Sequence, residues 1–464
     1  MHKDPLSHRM YRAIRPRLSD LGALRLARRV LPQKLRTRFA ILLGLRGFDP
    51  GSAPGTIIPE WVEKTWVEKR KSGTRSRITL FDGINYIGDL RADIGISEHS
   101  RLMVNTMLEA GIPLAYTEIA YRFESRTVPL PKELKEGSPY SISVVDQNFS
   151  HFYDAILEIP PKALEGKYII TIWAWELNKF EGPWLNNFKF VDEVWTGSRY
   201  TQDVIAHVSP VPVVRIPFAV EVNASLDVTP ARFSLPENRF IFLYSFSSTS
   251  TAARKNPFGY VEAFRQAFGK PGKTGPLLVL KAHHLDNPDA VLLAPALRKA
   301  VASVGGILIE DNLDRQSMYD LLAVADCFVS LHRAEGFGLG IAESMALGKP
   351  VIATAYSGNM DYMTPANSYG VSYSIKQIQE EDHAYQPRLK AIYGTGYEWA
   401  DPDIDHAAKL MQRVYENQDE ARQVGQRAAE YMALHYSRAA IGQRIRERFR
   451  ALIESGQGAR KEPS

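Results

Sequence analysis

The sequence predicts an α/β protein in which two Rossmann-like domains face each other across a cleft, preceded by a basic helical N-terminal extension. Strand and helix patterns alternate in two separate series, and a segment rich in turn formers, 218–238, lies between them. A chain of 464 residues can build two or three domains with separate cores. Alternating β and α units favour parallel sheets covered on both faces.

The first series starts after residue 76. Residues 78–86 have the pattern of a buried strand, and a glycine-containing turn spans 88–95. Ser97 is a candidate N-cap for a helix through Leu108, and 113–120 form the next expected strand. This order is typical of the first half of a Rossmann-like domain. Later strands are predicted at 141–145, 168–173, 193–196 and 211–216.

The second series starts at Arg239. Its predicted elements are strands at 240–246, 277–281, 306–309, 326–331 and 351–354, helices at 257–268 and 314–324, and a helix ending at 347. The region 405–453 has a helical pattern, and 455–464 is expected to be disordered. The predicted divisions are therefore an extension (1–75), a first domain (76–222), a second domain (237–420) and C-terminal helices with a tail (421–464).

Composition excludes several classes of protein. Hydrophobic residues make up 45% and charged residues 23%, which is ordinary for a globular protein. Cys327 is the single cysteine, so an internal disulfide or multi-cysteine zinc site is excluded, and it is interpreted as a buried core residue. The sequence contains no uninterrupted apolar run of about 18–20 residues and no secretory signal pattern, so a cytoplasmic location is expected.

The net charge of +5 is unevenly distributed. Residues 9–46 contain eleven Lys or Arg and one acid, Asp20, interspersed with apolar residues. This pattern predicts basic amphipathic helices on the anionic inner face of a membrane, or a helical appendage that packs on the main body or a partner. Nucleic-acid binding is not predicted, because no known module follows and aromatic residues are not interleaved as stacking platforms.

The stretch from Glu335 to Glu343 contains the strongest functional signal. Three glycines occupy alternate positions between a predicted strand and a helix. Glycine permits close approach of the backbone to a ligand, and a helix N-terminus can bind a diphosphate. One carboxylate could then contact a sugar and the other a ribose diol. Taken alone, the pattern also fits a structural turn with solvated glutamates.

The longer string Glu335-Gly-Phe-Gly-Leu339, continued by 342–353 and Ser357-Gly-Asn359, resembles the retaining family 4 glycosyltransferases of GT-B fold. The resemblance implies a nucleotide diphosphate sugar donor, a glycan or lipid-linked acceptor such as those of surface polysaccharide synthesis, and no metal or other cofactor. Glu335 is the implied catalytic residue. The implied donor-binding residues here are Gly336, Phe337, Gly338, Leu339 and Glu343.

Arg254-Lys255 resembles the basic element that this family places on the donor phosphates, so both are candidate catalytic residues. Two cations at a strand-to-helix corner can offer charge-assisted bonds to a pyrophosphate, although a solvated helix start has the same appearance. Many relatives have an arginine six positions before this lysine. That position is Thr249 here, and Arg254 is the candidate replacement. Further donor-side candidates are Ser248, Thr249 and Lys281.

Gly88 and the run 93–97, which includes Gly95, resemble the glycine loop that lies across the cleft from the donor in this family. Arg101, one turn into the following helix, could face the same cleft. His151 is the nearest candidate for the family histidine at the donor sugar, and a structural role is its alternative. Glu176 is a candidate acceptor-side contact. Trp173, Trp175 and Trp195 are interpreted as core residues, with sugar stacking as the alternative.

The predicted reaction is glycosyl transfer with retention, in which Lys255, Arg254 and the helix N-terminus stabilise the departing diphosphate. Two other classes fit the same scaffold. One is a nucleotide-sugar epimerase or a phosphorylase, although no pattern in the sequence marks the lysine with which a cofactor-dependent phosphorylase would bind pyridoxal phosphate. A non-catalytic nucleotide-sugar-binding protein is the other, and the retention of both glutamates and the Arg-Lys pair argues against it.

Overall fold

A computed structural model describes residues 82–91, 95–119, 128–287, 290–387 and 392–454. It contains one seven-stranded and one six-stranded parallel sheet, flanked by helices, which confirms the predicted pair of facing Rossmann-like domains. The basic extension and the tail at 455–464 lie outside the described residues.

The first domain is a parallel sheet with the strand order β3-β2-β1-β4-β5-β6-β7. Its strands are β1 (Ile84–Gly88), β2 (Leu114–Glu118), β3 (Lys135–Glu136), β4 (Ile142–Val145), β5 (Tyr168–Ile172), β6 (Glu193–Thr196) and β7 (Val213–Arg215). Its helices are α1 (Gly95–Glu109), α2 (Phe149–Glu158) and α3 (Arg199–Ala206), with 3-10 turns at Pro161–Ala163 and Pro183–Phe190.

Two predicted elements of this domain differ from the structure. Residues 82 and 83 of the strand predicted at 78–86 are not part of β1, which begins at Ile84, because Gly83 has a φ of 136°, which breaks the extended conformation; residues 78–81 lie outside the described residues. Helix α1 begins at Gly95, two residues before the predicted N-cap. Ser97 therefore lies inside the first helical turn and does not cap the helix.

The second domain has the strand order β10-β9-β8-β11-β12-β13. Its strands are β8 (Ile241–Ser247), β9 (Leu277–His283), β10 (Ile307–Ile309), β11 (Cys327–Ser330), β12 (Val351–Thr354) and β13 (Tyr369–Val371), and a separate antiparallel pair, β14 (Tyr373–Gln377) and β15 (Glu398–Pro402), follows. Its helices are α4 (Ala252–Lys255), α5 (Pro257–Phe268), α6 (Leu293–Ser303), α7 (Arg315–Val324) and α8 (Leu339–Ala346), with 3-10 turns at Pro230–Phe233, Ser357–Asp361 and Glu380–His383.

The central strands of this second sheet are apolar and covered on both faces, as the continuous apolar runs in the sequence predicted. Cys327 in β11 is fully buried, which confirms its core role, and burial raises the pKa of its thiol. The core interpretation of Trp173, Trp175 and Trp195 is likewise confirmed, because each is at most 1% exposed.

Three further helices complete the chain: α9 (Ile404–Glu416), α10 (Gln418–Tyr436) and α11 (Arg438–Glu454). Helices α9 and α10 pack on the second domain, but α11 crosses back and packs on α1 of the first. A Cβ at Gly442 would lie 2.7 Å from that of Ala110, and Arg448 forms an ion pair with Glu193 of β6. The last helix is thus part of the first domain. Within the described ranges, no helix has the length and apolarity needed to cross a bilayer.

Candidate active site

Each parallel sheet has one place where the strand order reverses direction. In the second sheet this switch point lies between β8 and β11, and in the first between β1 and β4. Ligands of such sheets bind in the crevice at the carboxyl ends of the strands at that point. The short helix α4, which follows β8, carries Arg254 and Lys255, and the loop after β11 carries Glu335 and the start of the glycine run. The two strongest sequence signals therefore converge on one crevice.

Lys255 and Glu335 form a direct ion pair between Nζ and Oε1. Although burial alone would raise the pKa of Glu335, the charges of Lys255 and Arg254 lower it to about 2, so this carboxylate is ionised. Burial lowers the pKa of Lys255, and Glu335 opposes that effect. The side chain of Lys255 is 20% exposed, which leaves its ammonium group within reach of a ligand in the crevice.

Arg254 lies on the other side of Glu335 and is only 3% exposed. Its guanidinium donates to the carbonyl oxygen of Ala334 at 2.7 Å and to Ser250 Oγ at 2.7 Å, and its Nη1 is 3.3 Å from Glu335 Oε2. Its Nη2 is 3.3 Å from Glu176 Oε1 in the first domain. Arg254 therefore ties the two walls of the cleft together, while Lys255 is the more exposed of the two cations.

Tyr393 also contacts this cluster, and the sequence patterns did not indicate it. Its ring lies 5.6 Å from the Arg254 guanidinium carbon, and its hydroxyl donates to Glu176 Oε2 at 3.3 Å. Glu176, predicted as an acceptor-side contact, thus lies beside the donor-side cations with its carboxylate engaged by Arg254 and Tyr393.

The backbone of the glycine run packs directly against the backbone of neighbouring segments. A Cβ at Gly336 would lie 3.1 Å from the carbonyl oxygen of Trp175 across the cleft, and one at Gly358 would lie 2.1 Å from the carbonyl oxygen of Gly336. Gly338 has a φ of 86° and is the N-cap of α8, which begins at Leu339. The loop therefore requires glycine, and it aims the free N–H groups of α8 at the crevice.

Phe337 turns away from this crevice. Its ring is buried 5.1 Å from that of Phe218 in the linker and 5.3 Å from that of Tyr362. The Tyr362 hydroxyl donates to the carbonyl oxygens of Phe337 and Gly338 at 2.7 and 2.8 Å. Phe337 thus anchors the predicted donor loop through its side chain, which leaves only its backbone for donor contact.

Glu343 on α8 forms an ion pair with Arg315, the first residue of α7. Arg315 Nε also lies 3.5 Å from Glu98 Oε1 on α1 of the first domain. Burial raises the pKa of Glu343, and the Arg315 charge opposes that effect. Sequence reasoning missed Arg315 and Glu98, since both occupy ordinary charged positions near helix starts.

The remaining donor-side candidates surround the end of β8 and β9. Ser248 is buried and donates to the carbonyl oxygen of His284 at 2.6 Å, and Thr249 Oγ1 lies 2.8 Å from Ser247 Oγ. Lys281 is fully buried, and its Nζ has no hydrogen-bond partner among the residues that the structure describes. Burial lowers the pKa of Lys281 to about 8.

The first-domain candidates are more dispersed. Gly88 ends β1, and Gly95 begins α1. Arg101 donates to Glu98 at 3.0 Å and to the carbonyl oxygen of Leu90 at 2.9 Å, so it supports the Glu98–Arg315 contact from within its own domain. His151 lies in the first turn of α2, close in sequence to the end of β4.

Metal binding was not predicted. In the described part of the chain, no three His, Cys, Asp or Glu side chains converge as a set of metal ligands. The independence from metal that the resemblance implies stays a prediction.

Two facing parallel-sheet domains with this crevice define a protein of GT-B fold. Residues 309–431 match the family model of the glycosyl transferases group 1. The matched segment includes the glycine run, both glutamates of the motif and Arg315. This match supports a glycosyltransferase that uses a nucleotide sugar.

Solved structures agree on the fold. Sucrose-phosphate synthase from Thermosynechococcus elongatus has a TM-score of 0.59 and 14% identity, covering 80% of this chain and 100% of its own. Anabaena HepE in complex with UDP and glucose has a TM-score of 0.55 and 14% identity, covering 80% and 100%. A glycosyltransferase from Rickettsia africae has a TM-score of 0.56 and 11% identity, covering 81% and 100%. No curated protein matches the sequence.

Proposed function

We propose that this protein transfers a sugar from a nucleoside diphosphate sugar to an acceptor hydroxyl, with retention of the anomeric configuration and without a metal, as a member of family 4. The observation that carries the proposal is the Lys255–Glu335 ion pair at the β8/β11 switch point, beside the glycine run and the start of α8. A buried cation and free helix N–H groups suit a diphosphate, and an ionised carboxylate suits sugar hydroxyls.

Departure of the diphosphate concentrates negative charge on its oxygens. Lys255 and the N-terminus of α8 would stabilise that charge electrostatically. Glu335 neutralises Lys255 through their ion pair. An arriving phosphate would compete for the ammonium group, which frees Glu335 to accept hydrogen bonds from the sugar. One ion pair thus supplies both the phosphate contact and the sugar contact.

Glu343 is the proposed ribose contact. Its Oε1 accepts a hydrogen bond from Arg315, which fixes the position of the carboxylate. HepE, which shares the fold, has been solved with UDP and glucose and with UDP-glucose. A uridine nucleotide is therefore the first donor to test.

The protonation state of Glu335 separates this function from glycoside hydrolysis. A glycosidase needs one carboxyl group that is protonated near neutral pH to donate a proton to the leaving group. The pKa of Glu335, lowered to about 2 by Lys255 and Arg254 against the effect of burial, makes it unsuitable as that acid. Retention would follow from attack of the acceptor hydroxyl on the leaving-group face, in a cleft whose closure excludes water.

The acceptor is proposed to be a glycan or lipid-linked glycan. Attachment of residues 9–46 to an anionic membrane surface stays a prediction, because that segment lies outside the described residues. Deletion of residues 1–46 should release the protein from vesicles that contain anionic lipid. Full-length protein that does not bind such vesicles would contradict the predicted membrane attachment.

Calorimetric titration of UDP into the wild type, Lys255→Met and Lys273→Met tests the donor site. A charge-assisted bond to phosphate contributes about 1.5–3 kcal/mol, so Lys255→Met should weaken binding roughly 10- to 100-fold. Lys273 is an exposed loop residue and should leave affinity unchanged. Equal affinities for all three proteins would contradict the phosphate role. UDP binding without any transfer or hydrolysis would favour a non-catalytic binding protein, and conversion to an epimeric nucleotide sugar would favour an epimerase.

A further inference from the structure

The chain between β14 and β15 places one buried amide behind the crevice at the β8/β11 switch point. Gln386 is 3% exposed, and its side chain forms a hydrogen bond at each end. Its Nε2 donates to the carbonyl oxygen of Ser248 at 2.6 Å, and its Oε1 accepts from the backbone N–H of Ala252 at 2.6 Å. The reverse orientation of the amide would place oxygen against oxygen, so these two partners fix it. Gln386 therefore bridges the two ends of the turn 248–252.

This turn leads into the helix that carries the donor-side cations. Helix α4 begins at Ala252, contains four residues and includes Arg254 and Lys255. So short a helix has little stability of its own, because few hydrogen bonds offset the cost of nucleation. Thr251, its N-cap, makes no capping hydrogen bond through its side chain, and the Gln386 oxygen satisfies the first N–H group instead. The placement of α4 therefore depends on a residue 134 positions away in the sequence.

The backbone of Lys255 is bonded to the same turn. Its N–H donates to the carbonyl oxygen of Thr251 at 3.1 Å, and its own carbonyl oxygen accepts from the Tyr244 hydroxyl at 2.7 Å. A displacement of the turn would therefore move the backbone from which the Lys255 side chain reaches Glu335. A shift of about 1 Å is enough to lose a hydrogen bond between an ammonium group and a phosphate.

Gln386 is itself held by the segment around it. Its backbone N–H donates to the carbonyl oxygen of His383, the last residue of a 3-10 turn, at 3.0 Å. In the same turn, Asp382 Oδ1 lies 3.7 Å from Arg333 Nη1, and that nitrogen donates to the carbonyl oxygen of Ala253 at 3.0 Å. The segment thus supports α4 at two adjacent backbone positions, directly through Gln386 and indirectly through Arg333.

We propose that Gln386 is a positioning residue for the donor site, which fixes the turn 248–252 so that α4 presents Lys255 to the diphosphate of the nucleotide sugar. The role rests on the proposed function. Gln386 acts through Lys255 and does not touch the donor, since it is buried and both ends of its amide are bonded to the backbone. An amide that served only the fold would stabilise the protein without any link to Lys255. The two roles therefore differ in whether the effects of Gln386 and Lys255 on donor binding are coupled.

A double-mutant cycle measures this coupling by calorimetric titration of UDP into the full chain. Gln386→Met keeps the length of the side chain and removes both hydrogen bonds. It should weaken UDP binding at least about fivefold when Lys255 is present, and less than about twofold in the Lys255→Met background. Gln423→Met, on an exposed face of α10, is the control and should leave UDP affinity unchanged. Amide hydrogen exchange of residues 248–256 should accelerate in Gln386→Met but not in the control.

Gln386→Asn is the second variant, and it takes the place of Gln386→Met in the cycle if the latter does not fold. It retains the amide but is one methylene shorter, so it cannot bridge both backbone groups and should show the same coupling. Equal weakening of UDP binding in both Lys255 backgrounds would assign Gln386 to the fold alone and overturn the positioning role. UDP binding that requires Lys255 but not Gln386 would overturn only the role of Gln386. Wild type that binds none of UDP, GDP and ADP would overturn the donor site, and this role with it.

Discussion

The guanidinium of Arg315 lies between Glu98 of the first domain and Glu343 of the second, and Arg315→Gln removes its charge. The substitution leaves a buried carboxylate on α8 without its cation and brings two carboxylates to face each other across the cleft. We expect Arg315→Gln to destabilise the protein more strongly at neutral than at mildly acidic pH.

The expected size follows from burial. Removing one partner of a fully buried ion pair costs about 3–5 kcal/mol. The Arg315 side chain is 33% exposed and that of Glu343 7%, so solvent screening reduces the loss to roughly 2–3 kcal/mol at pH 7.5.

The pH dependence has a definite sign. Burial raises the pKa of Glu343 above its ordinary 4.5 even beside Arg315, and loss of the cation raises it further. A carboxyl group with a raised pKa in the folded state favours folding below its unfolded pKa, and that contribution disappears as pH rises through the folded value. As pH falls toward this raised pKa, Glu343 takes up a proton, so the penalty should be smaller at pH 5 than at pH 7.5.

Urea unfolding of wild type, Arg315→Gln and Arg265→Gln at pH 5 and pH 7.5 measures both effects. Arg265 pairs with Glu262 on an exposed helix face and should show no measurable change at either pH. A loss in Arg315→Gln that is equal at both pH values, or no greater than that of the control, would show that Arg315 does not stabilise the Glu343 carboxylate.

Gly358→Ala should destabilise the protein by more than about 2 kcal/mol in thermal unfolding, because its Cβ would lie 2.1 Å from the carbonyl oxygen of Gly336. Gly272→Ala, which meets nothing within 4 Å, should be tolerated, and similar losses in the two variants would contradict the packing argument. The lowered pKa of Glu335, from 4.5 to about 2, contributes roughly 3 kcal/mol that is present above pH 4.5 and lost as pH falls toward 2. Glu335→Gln should flatten that part of the stability profile, and an unchanged profile would count against the ion pair. Arg254→Lys should lower stability by about 2–4 kcal/mol, because an ammonium group cannot reach all the partners of the guanidinium, and a neutral effect would show that these contacts are dispensable.

The fold could be predicted because short segments of the sequence determine its strands and helices. Continuous apolar runs of strand length, each followed by a helical period, specify parallel sheets wherever they occur, and the carboxyl ends of β8 and β11 then bring Lys255 and Glu335 together. The glycine run could also be predicted from the sequence. The close packing around Gly336 and Gly338 leaves no room for a side chain, so these positions require glycine, and glycine is visible in the sequence.

The cross-cleft contacts could not be predicted in the same way. Glu98 and Arg315 meet only through the packing of two domains, and each looks locally like an ordinary charge near a helix start. The return of α11 to the first domain is likewise set by tertiary contacts. Phe337 sits inside the motif but packs into the core, because sequence proximity to a ligand loop does not fix the direction of a side chain.

Release of nucleoside diphosphate from a panel of nucleotide sugars, followed by NMR without added acceptor, measures whether the β8/β11 crevice transfers a glycosyl group. The wild type is expected to hydrolyse one donor slowly and to release the sugar first in the anomeric configuration of the donor. Lys255→Met should reduce this release by at least about 100-fold while remaining folded. Absence of release from every donor, or equal rates for wild type and Lys255→Met, would contradict the assignment of the β8/β11 crevice as a glycosyl-transfer site.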